Sequence, residues 1–388
     1  MALKLTRSVA VIGTRGFPSY YGGFETAVRK VAPRLADHGW AVTVFGRPGA
    51  TVQEEAEGDS RVVSRTTAGW DSKSLSTLTY GFTAVVACLR LRPDVVLAMN
   101  VANGYWLPLL RIARIPVVVN VDGIEWERAK WGRLAKLLFL GGAKMTVRWA
   151  TRLICDAQEI SRYWQDRFGR ESDFIPYGGT KEVDSQVEEG LTSGGYVLYV
   201  ARFVPENSID AFLRAAEVLA ERWDVVIVGS GGYGTAMDDR VREVASGNIR
   251  WLGHIQDDDR LNSLWEHAGV YFHGHSVGGT NPALVQAMAC GAPTVARDTV
   301  YNREVLGDGG VFVEPAPEAI AEAITRLMDD QAMRESKSTA ARVRAAENYT
   351  WEAVSDKYEA SLLATMADAP WARRQGNGNK SDGSFKRQ

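Results

Sequence analysis

YFHGHSVGGTNPALVQAMACG, residues 271–291, holds a strand end, a glycine loop and a helix start in one run. Val270, Tyr271 and Phe272 form the apolar end of a strand, and Leu284 and Met288, four apart, mark a helix over residues 283–289. Between them Gly278 and Gly279 allow close backbone approach, Thr280 or Asn281 suits the N-cap, and Pro282 suits the first helical turn. Such a loop aims unpaired backbone N–H groups and the positive end of the helix dipole at whatever binds, which favours a phosphate. The same pattern also serves as an ordinary strand-to-helix connection.

Outward from this run, short apolar stretches alternate with helical patterns in two series. Residues 196–200, 225–229, 249–252, 269–272, 294–296 and 311–313 read as strands of one doubly wound sheet, and residues 8–13, 41–45, 95–99, 117–121 and 153–155 as strands of another. Runs rich in Val and Ile with little polar alternation are what a parallel sheet covered on both faces requires. Residues 26–38 typify the helices, with Val28, Val31 and Leu35 on one stripe and Gly39 closing it. The series are separated by IPYGGTKEVDSQVEEGLTSGG, residues 175–195, where Pro, Gly and acidic residues replace the periodicity. The expected organisation is α/β: a first Rossmann-like domain over 1–178, a linker over 179–194, and a second Rossmann-like domain over 195–349. A helix over 350–366, capped by Thr350, is expected to pack back on the first domain, and a disordered tail to occupy 367–388. Two such domains are expected to face each other across a cleft, with the ligand at the carboxyl ends of the strands.

A chain of 388 residues suits two domains. Its 45 basic and 47 acidic residues give a net charge of -2, without the polyelectrolyte character of a nucleic-acid binder. Cys88, Cys155 and Cys290 are odd in number, far apart and in apolar surroundings, which points to reduced thiols and a cytoplasmic compartment. No run reaches the roughly 18 apolar residues of a transmembrane helix, and no export signal is read at the start.

Three further segments carry chemistry. GTRGFPSYYGGFE, residues 13–25, links a strand to a helix; Gly22 and Gly23 offer a second anion-shaped position there and Arg15 a cation. In YVARFVPEN, residues 199–207, Arg202 directly follows a strand end, and its fork of donors suits a phosphate. In VDGIEWERAKW, residues 121–131, Asp122 and Glu125 follow another strand and are acceptor-side candidates. GSGGYG, residues 229–234, imitates a dinucleotide fingerprint but lacks the acid that should end the next strand. The acids Asp257, Asp258 and Asp259 read as a helix start. His273 and His275 share a face but lack a third ligand, so no metal is expected.

The order of VARFVPEN, VIVGSGG, WLGHI and GGTNPALVQAMACGAP resembles the nucleotide-sugar domain of retaining GT-B glycosyltransferases of family four. With VIGTRGFPSYYGGFE, VDGIEWERAKW and YNREV, the likeness runs from about Val9 to Met366 and looks closest to the bacterial polysaccharide rhamnosyltransferase-like subgroup. The resemblance implies a GT-B fold and a nucleotide sugar as donor. The transfer it implies is of L-rhamnose from dTDP-rhamnose to a glycan or polyprenyl-linked glycan, with no cofactor. It places Arg202 on the donor diphosphate as a catalytic residue; Asp122, from its place after a strand, is the catalytic candidate that positions the acceptor, with Glu125 and Arg15 also on the acceptor side. Taken with the glycine loops and helix start read above, the candidate donor-binding set is Gly22, Gly23, Asn207, His254, His275, Gly278, Gly279, Thr280, Asn281 and Gln286. Asn207 stands where the family has a lysine, and Gly278 and Gln286 where it has a pair of glutamates for the sugar and the ribose. Gln286 lies about 200° around the helix from Leu284 and is expected to face the cleft, where a neutral amide suits a deoxyribose. A sugar-nucleotide epimerase and a noncatalytic sugar-nucleotide-binding protein are the alternatives.

Between Glu127 and Arg152 lie Arg128, Lys130, Arg133, Lys136, Lys144 and Arg148. On a helical wheel Lys130, Arg133 and Lys136 share one arc, with Trp131, Leu134 and Leu138 opposite. With a lipid-linked acceptor, the arc is expected to meet an anionic surface on the inner face of the membrane.

Overall fold

The computed structural model describes residues 7–20, 22–50, 59–70, 76–121, 123–128, 131–180, 185–231 and 236–371. The chain divides into two compact units, one of Met1–Asp156, Ile160–Ile175 and Ser355–Gln388, the other of Ala157–Glu159 and Pro176–Val354.

The first unit is built on seven parallel strands, β1 (Arg7–Ile12), β2 (Trp40–Gly46), β3 (Val62–Thr66), β4 (Val95–Met99), β5 (Val117–Asn120), β6 (Arg152–Cys155) and β7 (Asp173–Phe174), in the order β3-β2-β1-β4-β5-β6-β7. Every residue of β4 and β5 is buried, as helices on both faces demand. The edge strands β3 and β7 were not expected. Only Val62 of β3 is buried, so VVSRT carries no continuous apolar signal, and β7 is two residues long.

The second unit has six parallel strands, β8 (Tyr196–Val200), β9 (Asp224–Val228), β10 (Ile249–Trp251), β11 (Val270–His273), β12 (Thr294–Arg297) and β13 (Gly310–Val313), ordered β10-β9-β8-β11-β12-β13. One face of this sheet packs Tyr199, Phe212 and Phe272 in a stack with ring centroids 4.7 and 5.4 Å apart; the other packs Leu198 and Tyr271 on Leu284 and Met288. Both units are thus doubly wound α/β sheets.

Residues 185–194, expected within a linker, are fastened to the second unit: Ser185 N donates to Glu266 Oε2 at 3.2 Å and Arg260 Nη2 lies 2.6 Å from Glu188 Oε1. The helix Trp351–Ala367 starts with Ala353 N donating to Thr350 Oγ1 at 3.3 Å, and from Ser355 it belongs to the first unit. There Asn120 Nδ2 donates to Tyr358 OH at 2.7 Å and Trp40 Nε1 to Glu359 Oε1 at 2.9 Å. Packing continues beyond residue 367, where disorder was expected: Asp368 pairs with Arg152 at 2.7 Å, Ala369 is buried and the Arg111 guanidinium lies 5.1 Å from the Trp371 ring centre. Residues 372–388 lie outside the described residues.

The basic arc also needs correction. The helix starts at Arg133, Leu134 and Leu137 are 73% and 65% exposed, and only Gly142, Ala143 and Thr146 of this helix are buried. Leu134 therefore points to solvent, and Lys130 lies outside the described residues. No described helix is long and apolar enough to cross a membrane. All three cysteines are free and buried, and burial pushes the Cys88 and Cys155 thiols up to about 12.

His273 ends β11 inside the core, its Nδ1 2.9 Å from Tyr271 OH and its ring stacked on His275 at 4.3 Å. Burial, with His275 alongside, holds this imidazole well below its ordinary value, so the native side chain is neutral. The unfolded chain takes up a proton near pH 6.5 that the native state refuses. Stability is therefore present above that pH and lost below it, with a slope that approaches about 1.4 kcal/mol per pH unit for this one group well below pH 6.5. In urea unfolding between about pH 6.5 and 5.5, His273→Gln is expected to lose about 1 kcal/mol less than the wild type. An equal loss contradicts the assignment.

Candidate active site

In the second unit the strand order reverses between β8 and β11, so the loops that leave these neighbours depart in opposite directions and open a crevice at their carboxyl ends. The β8 loop runs through Ala201 and Arg202 into a turn at Pro205–Asn207, then through Ser208 in the left-handed region (φ 58°) to the helix Ile209–Leu219. The β11 loop runs from Gly274 to the helix Pro282–Cys290. Ser208 Oγ donates to Gly274 O at 2.8 Å, and Ser276 N and Oγ both donate to Glu206 O at 2.9 Å. These bonds join the two loops side by side. Gly274 is fixed by this approach, because a Cβ there would lie 2.2 Å from Asn207 O.

Arg202 is exposed, and its guanidinium has no ion pair or hydrogen bond among the described residues. Its backbone carbonyl accepts from Asn207 Nδ2 at 2.8 Å. Asn207 is buried, so its amide shapes the Arg202 loop and does not reach outward as the family's lysine would. Across the join, Gly278 has φ +98°, and the Gly278 and Gly279 amides make no hydrogen bond among the described residues. Asn281, and not Thr280, is the N-cap, its Oδ1 accepting from Ala283 N at 3.0 Å; Thr280 is buried. No acidic residue occupies the first turn of the Pro282 helix. The end of this helix therefore keeps its positive dipole uncompensated on the loop joined to the one that carries Arg202, a combination that suits a phosphorylated ligand.

His275 lies beside the same loop, its carbonyl accepting from Asn302 Nδ2 at 2.9 Å, while His254 is exposed on the stretch after β10. Asp257 caps the helix Asp258–Glu266, accepting from Asp259 N at 3.0 Å and Arg260 N at 3.1 Å, which leaves the DDD run a helix start. Among the described residues no three His, Cys, Asp or Glu side chains group closely enough to hold a metal ion.

Arg297 at the end of β12 escaped the sequence reading. Its Nη1 donates to Ser208 Oγ at 3.1 Å, and burial pulls its guanidinium below the usual arginine range against the opposing pull of Glu314. The available signal was an arginine directly after a strand end, the pattern that singled out Arg202.

Gln286, expected to turn to a cleft, is bonded to backbone of its own unit. Its Oε1 accepts from Thr180 N at 2.9 Å and its Nε2 donates to Thr180 O at 2.8 Å. The wheel gave the correct distance from the core face but not the backbone waiting there.

In the first unit, Arg15 N donates to buried Glu25 Oε1 at 2.9 Å, which anchors the β1 loop to the start of the helix Gly23–Asp37. Gly22 is extended at φ -171°, a conformation open to any residue, so neither a turn nor its dihedral requires glycine there. Glu125 is buried and committed: Trp131 Nε1 donates to its Oε2 at 2.7 Å and the Arg128 guanidinium lies 2.9 Å from Oε1. It is a local structural carboxylate instead of an acceptor ligand. Asp122 lies outside the described residues.

Residues 21–178 match Glycosyltransferase Family 4 and residues 181–344 match Glycosyl transferases group 1. The chain is 28% identical to the O-antigen chain mannosyltransferase B of Escherichia coli over 47% of its own length and 49% of that protein's. It is 31% identical to the phosphatidyl-myo-inositol mannosyltransferase of Mycobacterium leprae over 51% of its length and 55% of that protein's. The chain thus spans about half the length of these two relatives. Among solved structures it is similar to the sucrose-phosphate synthase of Thermosynechococcus elongatus, with TM-score 0.76, 18% identity, and coverage of 93% of this chain and 99% of that one. Anabaena Alr3699/HepE in complex with UDP gives TM-score 0.69 and 16% identity, with 92% and 100% covered. With its two parallel-sheet Rossmann-like units and matches in both, the chain has the GT-B fold of the glycosyltransferase group 1 and family 4 kind.

Proposed function

We propose that the chain is a glycosyltransferase that moves a sugar, with retention at the anomeric carbon, from a nucleoside-diphosphate donor to a glycan or lipid-linked glycan in cell-surface polysaccharide synthesis. The observation that carries this reading is an Arg202 guanidinium with no ion pair or hydrogen bond among the described residues, in a β8 loop joined at the crevice to the β11 loop that carries the Gly278 and Gly279 amides and an acid-free helix start. In the transfer the bond from the anomeric carbon to the diphosphate oxygen breaks, and the diphosphate leaves with the electron pair. The acceptor hydroxyl oxygen forms the new bond and its proton passes to the departing phosphate. Arg202 and the loop amides stabilise the growing negative charge, each such donor contributing roughly 3 kcal/mol. Asp122 is assigned to positioning the acceptor, and the chemistry draws on the chain's own donors without a metal or cofactor.

The finer reading of the donor is dTDP-rhamnose, supported by the ordered segments VARFVPEN, GGTNP and YNREV together with those of the first unit. A mannosyl donor is the second reading, favoured by the names of the two mannosyltransferase relatives. Incubating the purified chain and a bacterial lipid extract with thymidine-, guanosine- and uridine-diphosphate sugars, read by mass spectrometry, separates them. Rhamnosyl transfer supports the first reading and mannosyl transfer the second. Arg202→Ala is expected to lower turnover about a hundredfold or more with the fold intact. Near-normal turnover in that variant removes Arg202 from the mechanism, and absence of transfer from every donor removes the enzyme reading.

A peripheral membrane contact on the cytoplasmic face belongs to the same proposal. Exposed Arg133, Leu134 and Leu137, with half-buried Lys136, put cations and apolar side chains together at one helix start. Leucines entering the interface and cations meeting anionic headgroups would each add to binding, at about 1 kcal/mol per charge. The wild type is expected to sediment with phosphatidylglycerol vesicles at low salt and not with phosphatidylcholine ones. Arg133→Glu combined with Lys136→Glu and Leu137→Gln should abolish sedimentation and spare transfer to a soluble acceptor. Failure of the wild type to sediment rejects the contact.

A further inference from the structure

We propose that Gln286 is a positioning residue that clamps the chain's entry into the second unit onto the helix Pro282–Cys290, and that the side chain at this position does not read the nucleotide. The chain enters this unit at Pro176. Shortly afterwards its backbone lies directly on the helix: a Cβ on Gly179 would come within 2.8 Å of Ala289 Cβ and 2.9 Å of Val285 O. Only glycine permits that approach. At the next residue the Gln286 amide takes both polar groups of Thr180, accepting from N at 2.9 Å and donating to O at 2.8 Å. The same backbone is held from another side, where Gly179 N donates to Tyr349 O at 2.7 Å.

The amide is chemically suited to this task. It presents an acceptor and a donor side by side in every protonation state, which matches the N–H and C=O of one residue. A carboxylate of the same length only accepts; it would set a charged oxygen against Thr180 O and leave that carbonyl without its donor. Gln286 Nε2 also reaches Cys290 Sγ at 3.4 Å, so the amide is engaged with protein at both ends. Both Nε2 hydrogens are thus engaged with protein and Oε1 already accepts from Thr180 N, which sets the amide to hold this backbone and opposes the expectation that Gln286 favours a deoxyribose.

The second half of this proposal rests on the nucleotide-sugar reading; the first does not. Hydrogen exchange of the full chain, resolved to single amides, tests the clamp without any ligand. In Gln286→Met the Thr180 amide is expected to exchange about tenfold faster while the β8 amides keep wild-type protection. Gln286→Glu, a milder change that retains the acceptor, is expected to show a smaller increase and serves if the first variant folds poorly. Unchanged Thr180 exchange in both variants overturns the clamp. Calorimetry with thymidine and uridine diphosphates tests the rest: the ratio of their affinities should match the wild-type ratio to within about twofold, and a shift of about tenfold, roughly 1.4 kcal/mol, would show that position 286 does read the ribose. If the wild type binds neither nucleotide, the nucleotide-sugar reading fails while the exchange result still decides the clamp.

Discussion

The second unit depends on how two neighbouring strands part. β8 and β11 are hydrogen-bonded partners whose onward chains turn away from each other, and the loops they feed would separate if nothing held them. Ser208 Oγ on Gly274 O and Ser276 on Glu206 O hold them, at a spacing that leaves no room for a Cβ at residue 274. That close join sets the loop that carries an exposed arginine against the loop that leads to a bare helix start. Neither feature alone would make a site. Together they concentrate positive potential where a phosphate can approach backbone amides.

Electrostatics then separates the two arginines of this region. Arg202 stays in solvent, where it keeps its hydration, and its loop is shaped by the buried Asn207 amide. Arg297 is half-buried, bonded to the Ser208 hydroxyl and partly desolvated, so it supports the join from below. The hydroxyl it contacts is the one that donates to Gly274 O, which makes Ser208 a shared link between the cation and the loop.

The fold was legible in the sequence where burial is two-sided. Strands such as Val95–Met99 and Tyr196–Val200 are buried at every residue, and an unbroken apolar run is the only composition that tolerates it. The edge strand Val62–Thr66 has one buried residue and so left no trace. Local signals also read correctly: Asn281 caps its helix and Asp257 caps another because the partner amides lie two or three residues away. Side chains with distant partners did not. Gln286 meets a backbone 106 residues earlier in the chain, and the helical wheel carries no information about what occupies the space it faces. Glu125 fails for a different reason: its partners Arg128 and Trp131 are close in sequence, yet a carboxylate after a strand end looks the same whether it turns outward or inward.

The central claim is that a nucleoside diphosphate binds at the β8–β11 crevice of the second unit. Hydrogen exchange of the full chain with and without saturating nucleoside diphosphate addresses it directly, because the Gly278 and Gly279 amides make no described hydrogen bond before the ligand arrives. The account predicts new protection at residues 278–280 and in the loop around Arg202, with the β12–β13 edge unchanged. Protection confined to other parts of the chain, or none at a concentration that shifts the thermal midpoint, would contradict it.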